Sequence, residues 1–214
     1  MPRTGRPRAF NRDEAVVAAM LLFWEHGFES TSLAQLRAAM GNISAASFYA
    51  AFESKEALFR EAVDLYISTY GQVSESFRDR SVTPRAAMEQ GLRRSARMQT
   101  ERSHPLGCLV VLSAVTCSPE LKHIRELLSK ERGKVRSWQK DCIEQAIADG
   151  ELPDSTDITM LVTLFDTFLR GISSQARDGV SLEAIDAAIT QLMSLWDAQS
   201  VGQEIEAKFE GESP

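Results

Sequence analysis

Two short helical periods joined by a glycine turn, Leu33 to Met40 and Ser44 to Phe52, constrain this chain more than any other feature. Ser32 with Gln35 three residues later has the form of a capping box, and Leu33, Leu36 and Met40 supply one inward face. Gly41-Asn42-Ile43 is the turn. Ser44 then caps a second short helix in which Phe48 and Phe52, four apart, anchor one face inward. Ala45, Ala46, Ser47 and Tyr49 are left on the outer face, a low and uncharged surface that can approach a base-pair floor closely. Before both lies a longer period: Asn11 with Glu14 as its cap, then Val16, Ala19, Leu22 and Phe23 until Gly27 stops it. Two short helices joined by a glycine turn and braced by a longer one describe a helix-turn-helix.

The rest of the chain reads as helix throughout. Lys55 opens a helix to about Tyr70 with Leu58, Phe59, Ala62, Leu65 and Tyr66 as its apolar stripe, and the polar stretch from Gly71 to Thr83 holds the domain boundary. Pro84 suits the first turn of the next helix, through Met88, Leu92 and Met98 to about Arg102. His104-Pro105-Leu106-Gly107 breaks the pattern. The apolar run Cys108 to Thr116 has the composition of a buried strand but sits among helical segments, so it is read as a short buried helix. Ser118-Pro119-Glu120 starts a long helix to Gly150, with Gly133 as a candidate bend. Asp154 to Asp157 caps another that carries Ile158, Leu161, Val162, Phe165, Phe168, Leu169 and Ile172, and Ser181 starts the last, which presents Leu182, Ile185, Ile189, Leu192, Leu195 and Trp196. The expected fold is all-α: a three-helix helix-turn-helix domain over residues 9–69, reached through a basic arm at 1–10, then a helical ligand-binding and dimerisation domain over 70–198 and a polar, acidic, frayed tail at 199–214.

Composition sets limits on function. At 214 residues with 43% hydrophobic content, the chain can bury a sizeable core without disulfides, and its three cysteines, Cys108, Cys117 and Cys142, have no C-x-x-C spacing. No apolar run approaches a membrane span, since even Met160 to Leu169 carries Asp166, so a cytoplasmic, nucleoid-associated protein with no membrane partner is expected. The net charge of −6 argues against nucleic acid until its distribution is considered. Arg3, Arg6, Arg8 and Arg12 precede the first acid, Asp13, while Glu204, Glu206, Glu210 and Glu212 crowd the far end. Gly5-Arg6-Pro7-Arg8 resembles the core of an AT-hook, an extended strand suited to a narrow minor groove. There is no G-x-S-x-G, G-x-x-x-x-G-K-[ST], H-E-x-x-H or G-x-G-x-x-G, so no catalytic residue is assigned and an enzyme is not expected. His26, His104 and His123 lie in separate segments without ligand spacing, and neither a metal site nor a resident cofactor is assigned.

From Gly27 to Tyr66 the chain resembles the DNA-binding domain of the TetR/AcrR family of bacterial transcriptional repressors. The resemblance is carried by Gly27-Phe28, Thr31-Ser32-Leu33, Met40-Gly41, Ile43-Ser44, Phe48-Tyr49, Phe52 and Ser54-Lys55-Glu56-Ala57-Leu58-Phe59. It implies that Thr31 or Ser32, then Ser44, Ala45, Ala46, Ser47, Tyr49 and Lys55 meet double-stranded operator DNA, with Arg3, Arg6 and Arg8 of the arm beside them, while Phe48 and Phe52 are core. Two departures bear on recognition. Asn42 makes the turn one residue longer than the family pattern, and Ala45 stands where many relatives carry a Lys or Arg, so groove shape, phosphate and thymine-methyl contacts carry more of the specificity than bidentate guanine reading. The resemblance also implies a homodimer through the two penultimate major helices, here Ile158, Leu161, Phe165, Phe168, Ile172, Ile185, Ile189, Leu192 and Trp196.

His104 to Gly179 more weakly resembles the regulatory domain of an AcrR-like subgroup. A pocket in such a body, lined by residues such as Phe77, Met88, Leu92, Cys108, Leu112, Cys117, Trp138, Phe165 and Phe168, suits a small apolar or aromatic effector. The function expected is therefore a dimeric, ligand-released repressor of a palindromic operator. Two alternatives remain at this stage: Cys108, at a helix start, as a lowered-pKa thiol that senses electrophiles or oxidants, and a helical small-molecule-binding protein without DNA affinity.

Overall fold

A computed structural model describes residues 11–115 and 118–210, with only the backbone described at 114–115 and 201–210. Arg3, Arg6, Arg8 and Cys117 lie outside the described residues. Among those described there are nine α-helices and no strand: α1 (Arg12–Ser30), α2 (Leu33–Ala39), α3 (Ala45–Phe52), α4 (Lys55–Ser68), α5 (Pro84–Thr100), α6 (Leu109–Val115), α7 (Lys122–Ala148), α8 (Ile158–Arg177) and α9 (Leu182–Glu210), with 3-10 segments at Tyr70–Arg78 and Pro119–Leu121.

The caps form where the sequence places them. Asn11 Oδ1 accepts from the amides of Asp13 and Glu14 at the start of α1. Ser32 and Gln35 complete a reciprocal capping box on α2, and Ser44, Ser54, Thr83 and Asp157 cap α3, α4, α5 and α8. Gly27 does not end α1; its backbone (φ 78°, ψ 169°) kinks the helix, which continues for one turn to Ser30. At Gly133 there is no bend, α7 running as one helix from Lys122 to Ala148. The expected frayed tail is instead helical through Glu210, as the last part of α9.

Apolar side chains gather in two cores. The first joins α1 to α4 around Phe23, Phe28 and Phe59, whose rings meet with centroids 5.0–6.0 Å apart, but it does not stop at residue 69. Met98 of α5, Leu109 and Val110 of α6, and Ile124 and Leu128 of α7 belong to the same cluster. The second core lies between α5, α7, α8 and α9, around Phe77, Leu92, Ile143, Phe165 and Trp196.

Head and body are pinned together at one junction. Trp24 of α1 stacks on His104 (4.5 Å between centroids), meets Tyr66 and Tyr70 edge-on, and donates its Nε1–H to the Gly107 carbonyl at 3.1 Å. Arg177, at the end of α8, donates to the carbonyls of Trp24 (2.8 Å), Glu25 (3.1 Å) and Leu106 (3.1 Å). Those carbonyls belong to a helix end and a loop, which have few internal donors, and a guanidinium with its several N–H groups can satisfy them together.

Candidate nucleic-acid interface and cavity

The outer face of α3 is open. Ser44, Ala45, Ala46, Ser47 and Tyr49 are all exposed, Tyr49 to 52%, while Phe48 and Phe52 on the opposite face are buried. Ser44 Oγ accepts from the Ser47 amide at 3.0 Å and lies 2.9 Å from the Ser47 hydroxyl, so the polar tips of the first turn brace each other. The extra residue in the turn is absorbed by two consecutive left-handed residues, Gly41 (φ 83°) and Asn42 (φ 60°), a conformation that Asn tolerates better than most side chains. Arg37 of α2 holds this turn by donating Nε–H to the Ile43 carbonyl at 2.8 Å. Arg12 does the same for the far end of α3: it pairs with Glu61 at 2.7 Å, covers the Phe52 ring at 5.0 Å and reaches the Ala51 carbonyl at 3.4 Å.

Of the two positions expected at the start of α2, only Ser32 is exposed. Thr31 is fully buried, with its hydroxyl donating to the Gly27 carbonyl at 2.7 Å, and it closes the kinked end of α1 rather than facing a ligand. Lys55, at the start of α4, is half-buried, with its ammonium 4.4 Å from the centre of the Phe28 ring and 3.5 Å from the Glu29 carbonyl. Arg12 and Arg37 were not recognised as site residues from sequence. Their signal was present only as arginines flanking the motif, because which carbonyl an arginine reaches is decided by packing.

In the body, a cavity of about 290 Å³ opens between α4, the Tyr70–Arg78 segment, α5, α6, α7 and α8. Of the residues expected to line a pocket, Cys108 and Trp138 do. Phe77, Met88, Leu92 and Phe165 are buried in the second core, Phe168 is half-buried against it, and Leu112 is half-buried outside the cavity lining. Large apolar side chains at helical spacing fill cores, while this cavity keeps a mostly apolar wall into which several polar groups enter. Those groups are Tyr66, Ser95, Gln99, Arg132, Asp166 and Arg170. Asp166, nearly buried, is held by Arg136 (2.6 Å) and Arg170 (2.9 Å).

Cys108 faces this cavity, so part of its surface is open although it is removed from bulk water. Burial pushes its thiol above the usual range, with the Tyr66 hydroxyl opposing the rise. The expectation of a lowered thiolate pKa is thus overturned: the helix start and Arg132 do not outweigh desolvation. Among the described residues no group of three or more His, Cys, Asp or Glu side chains is placed to hold a metal ion, and no helix is long and apolar enough to cross a membrane.

Residues 15–62 match the model of bacterial regulatory proteins of the tetR family, and residues 84–192 match that of the tetracyclin repressor-like C-terminal domain. The chain belongs to the TetR family. It is 34% identical over 195 residues to the HTH-type transcriptional repressor ComR of Escherichia coli K12, a match that covers 90% of this chain and 91% of ComR. The HTH-type transcriptional repressor BdcR of the same organism is 29% identical over 185 residues, covering 86% and 87%. Among solved structures, a cysteine mutant of the TetR family regulator CifR in complex with 26-bp double-strand operator DNA superposes with a TM-score of 0.82 at 41% identity, covering 89% of this chain and all of that one. As a TetR-family regulator the chain needs no catalytic centre, and the exposed α3 is the element that its helix-turn-helix presents.

The helices expected to form a dimer interface present a different face from the one read in the sequence. Leu161, Phe165, Ile172, Ile185, Ile189, Leu192 and Trp196 are buried within the protomer, and Ile158 and Phe168 are half-buried. The wide apolar stripe on α8 and α9 is consumed by the chain's own second core. What faces outward is Met160, Thr163, Thr167 and Gly171 on α8 and Ala184, Ala188, Gln191 and Leu195 on α9, with Met160 45% and Leu195 48% exposed.

Proposed function

We propose that the protein is a homodimeric operator-binding repressor released by a small effector in the body cavity. One observation carries the coupling: α4 begins at Lys55 beside α3 and presents Tyr66 and Ile67 to the cavity. At 1.5 Å per residue, those ends are roughly 17 Å apart on one rigid helix. An occupant that displaces Tyr66 or the adjoining α6 tilts this lever, and α3 moves with it through the buried Phe48 and Phe52 contacts.

In the dimer, the outer small-residue faces of α8 and α9 would meet their copies around Met160 and Leu195. Small side chains allow close helix approach, and two-fold symmetry would set the two α3 helices at about 34–36 Å, one turn of DNA apart. Ser47 and Tyr49, with Ser32, Ser44, Ala45, Ala46 and Lys55, form the groove-facing set. Arg3, Arg6 and Arg8 supply the cationic contacts that α3 lacks, so affinity should fall steeply with salt.

The test is a gel-shift titration against the promoter upstream of the gene for this protein, at several salt concentrations. The full chain should select one palindromic site over bulk DNA, and removal of residues 1–8 should lower both the affinity and the salt slope. Equal affinity for all sequences would refute the operator reading.

A further inference from the structure

The cavity that the repressor reading treats as an effector site carries more chemical information than its volume. Four of its polar lining groups point to what it takes. Ser95 Oγ is buried and has no hydrogen-bond partner among the described residues, while the buried Tyr66 hydroxyl has only the weak thiol of Cys108 and the start of α6 beside it. A buried polar group left without a partner is destabilising, so a ligand that reaches and satisfies it gains the hydrogen bond that the fold leaves unmade. Burial pushes the Tyr66 phenol well above its ordinary range, so it is a donor at neutral pH. Gln99 lies one turn beyond Ser95 on α5; its carbonyl oxygen accepts from Ser173 Oγ at 2.6 Å, which leaves the amide's N–H end as the one available to a ligand.

The fourth group is Arg132. Its Nη1 donates to the Val110 carbonyl at 3.0 Å, and among the described residues it forms no ion pair within 4 Å. The nearby acid cannot serve it, because Asp166 is already engaged by Arg136 and Arg170. Glu131 pairs with Lys134, and Glu75, the remaining acid of the lining, is exposed. Desolvation, followed by the repulsion of Arg170, makes the Arg132 cation easier to discharge than usual, a cost that an anion placed against it would offset. The rest of the lining is largely apolar, built from Val73, Met98, Val111, Val135, Trp138 and Leu169, with Val135 and Trp138 one and two turns beyond Arg132 on α7.

We propose that this cavity binds a small carboxylate with an apolar, planar body, its carboxylate against Arg132 with Tyr66 and Ser95 as further donors, and its body against Trp138. The inference rests on the effector reading for its biological meaning and on these side chains alone for its chemistry. Arg132 and the Gln99 amide nitrogen only donate and the two hydroxyls can donate as well, so a carboxylate is favoured over an amine, which Arg132 would repel, and over a neutral amide, which makes no charge-assisted bond to the guanidinium. The same head would touch Tyr66 on α4 and lie beside Cys108 at the start of α6, the two elements that lead to the head.

The experiment is calorimetric titration of the full chain with benzoate, phenylacetate and 3-phenylpropanoate, each paired with its neutral amide. At least one acid should bind about tenfold or more tightly than its amide. Arg132→Gln should bring that acid-to-amide ratio close to one, whereas loss of stability alone would weaken both ligands together. Should Arg132→Gln fail to fold, Tyr66→Phe, which leaves charge unchanged, is expected to weaken the acid severalfold. Quenching of tryptophan fluorescence on binding should vanish in Trp138→Phe. Equal binding of acids and amides, an unchanged ratio in Arg132→Gln, or no binding of any acid at millimolar concentration would each overturn the proposal. The operator gel-shift repeated with the best acid separates the two readings. Binding without DNA release preserves the cavity chemistry and removes the effector role, while specific DNA binding in a protein that takes up no acid does the reverse.

Discussion

Gly91 is a position where one added methyl group should cost more than helix propensity returns. It lies inside α5, where Gly→Ala is ordinarily favourable by up to about 1 kcal/mol. A Cβ at Gly91, however, would stand 2.3, 2.5 and 2.7 Å from three atoms of the Phe77 ring, well inside the separation of roughly 3.5–4.0 Å at which carbon atoms pack. Phe77 is 2% exposed and packed in the second core, so its ring must shift against its neighbours, and such overpacking costs about 1–3 kcal/mol or, if the ring is expelled, about the same again in lost burial. The clash therefore wins, and Gly91→Ala should lose about 1–2 kcal/mol net, which for a chain of this size lowers Tm by roughly 3–8 °C. Gly133→Ala is the matched control, because it too is mid-helix but has no atom within 4 Å of the added Cβ, and it should gain a few tenths to about 1 kcal/mol. Thermal melts at one protein concentration measure both, since a dimer's Tm depends on concentration. If Gly91→Ala melts at or above the wild type while Gly133→Ala rises as expected, the close packing of the Tyr70–Arg78 segment on α5 is refuted. That segment forms one wall of the cavity, so the same variant should also alter ligand uptake.

Four further outcomes follow from other parts of the fold. Tyr49→Ala removes a half-exposed ring that meets Phe48 edge-on, so operator affinity should drop about tenfold or more in a gel shift while stability falls by no more than about 1 kcal/mol. Leu195→Glu places a charge on the outer face of α9 and should shift sedimentation from dimer to monomer with the helical signal unchanged; a persistent dimer would mean that the copies meet elsewhere. At Gly107, where φ is +80° and a Cβ would lie 2.6 Å from Leu112 Cδ1 and 3.0 Å from the Ser173 carbonyl, alanine should cost about 2–4 kcal/mol in urea denaturation and loosen the Trp24 hydrogen bond. Burial pushes the Cys142 thiol up to about 12, above about 8.5 for an unfolded thiol. Its neutral form therefore contributes stability that is full below pH about 8.5 and lost as pH rises toward 12, so Cys142→Ala should lose stability less steeply than the wild type across that alkaline range.

The head was readable because its information is local. A Ser-x-x-Gln capping box, a glycine turn and two phenylalanines four apart each act within one turn of helix, and they form the structure that their spacing predicts. Thr31 shows where this reading stops. It adjoins the cap residue, but the kink at Gly27 turns its hydroxyl back onto the end of α1, and no periodicity in the sequence marks that rotation. The apolar stripe of α8 and α9 misleads for the opposite reason. Apolar periodicity says that a face is buried without saying in what, and here Phe165 and Trp196 meet within one protomer, with ring centroids 5.9 Å apart.

The sequence by itself determined that the chain is helical, where most of its helices begin, and that a short, uncharged helix stands open for contact, because caps, glycines and apolar spacing act over a few residues. Only the tertiary structure decided that Phe77 and Phe165 are core while Ser95, Tyr66 and Arg132 face an empty space, since these three come from α5, α4 and α7 and share no local pattern. It also decided which outer faces are left for a partner. Burial and unmet hydrogen bonds are properties of the assembled surface, so they exist only once separate helices have been brought together.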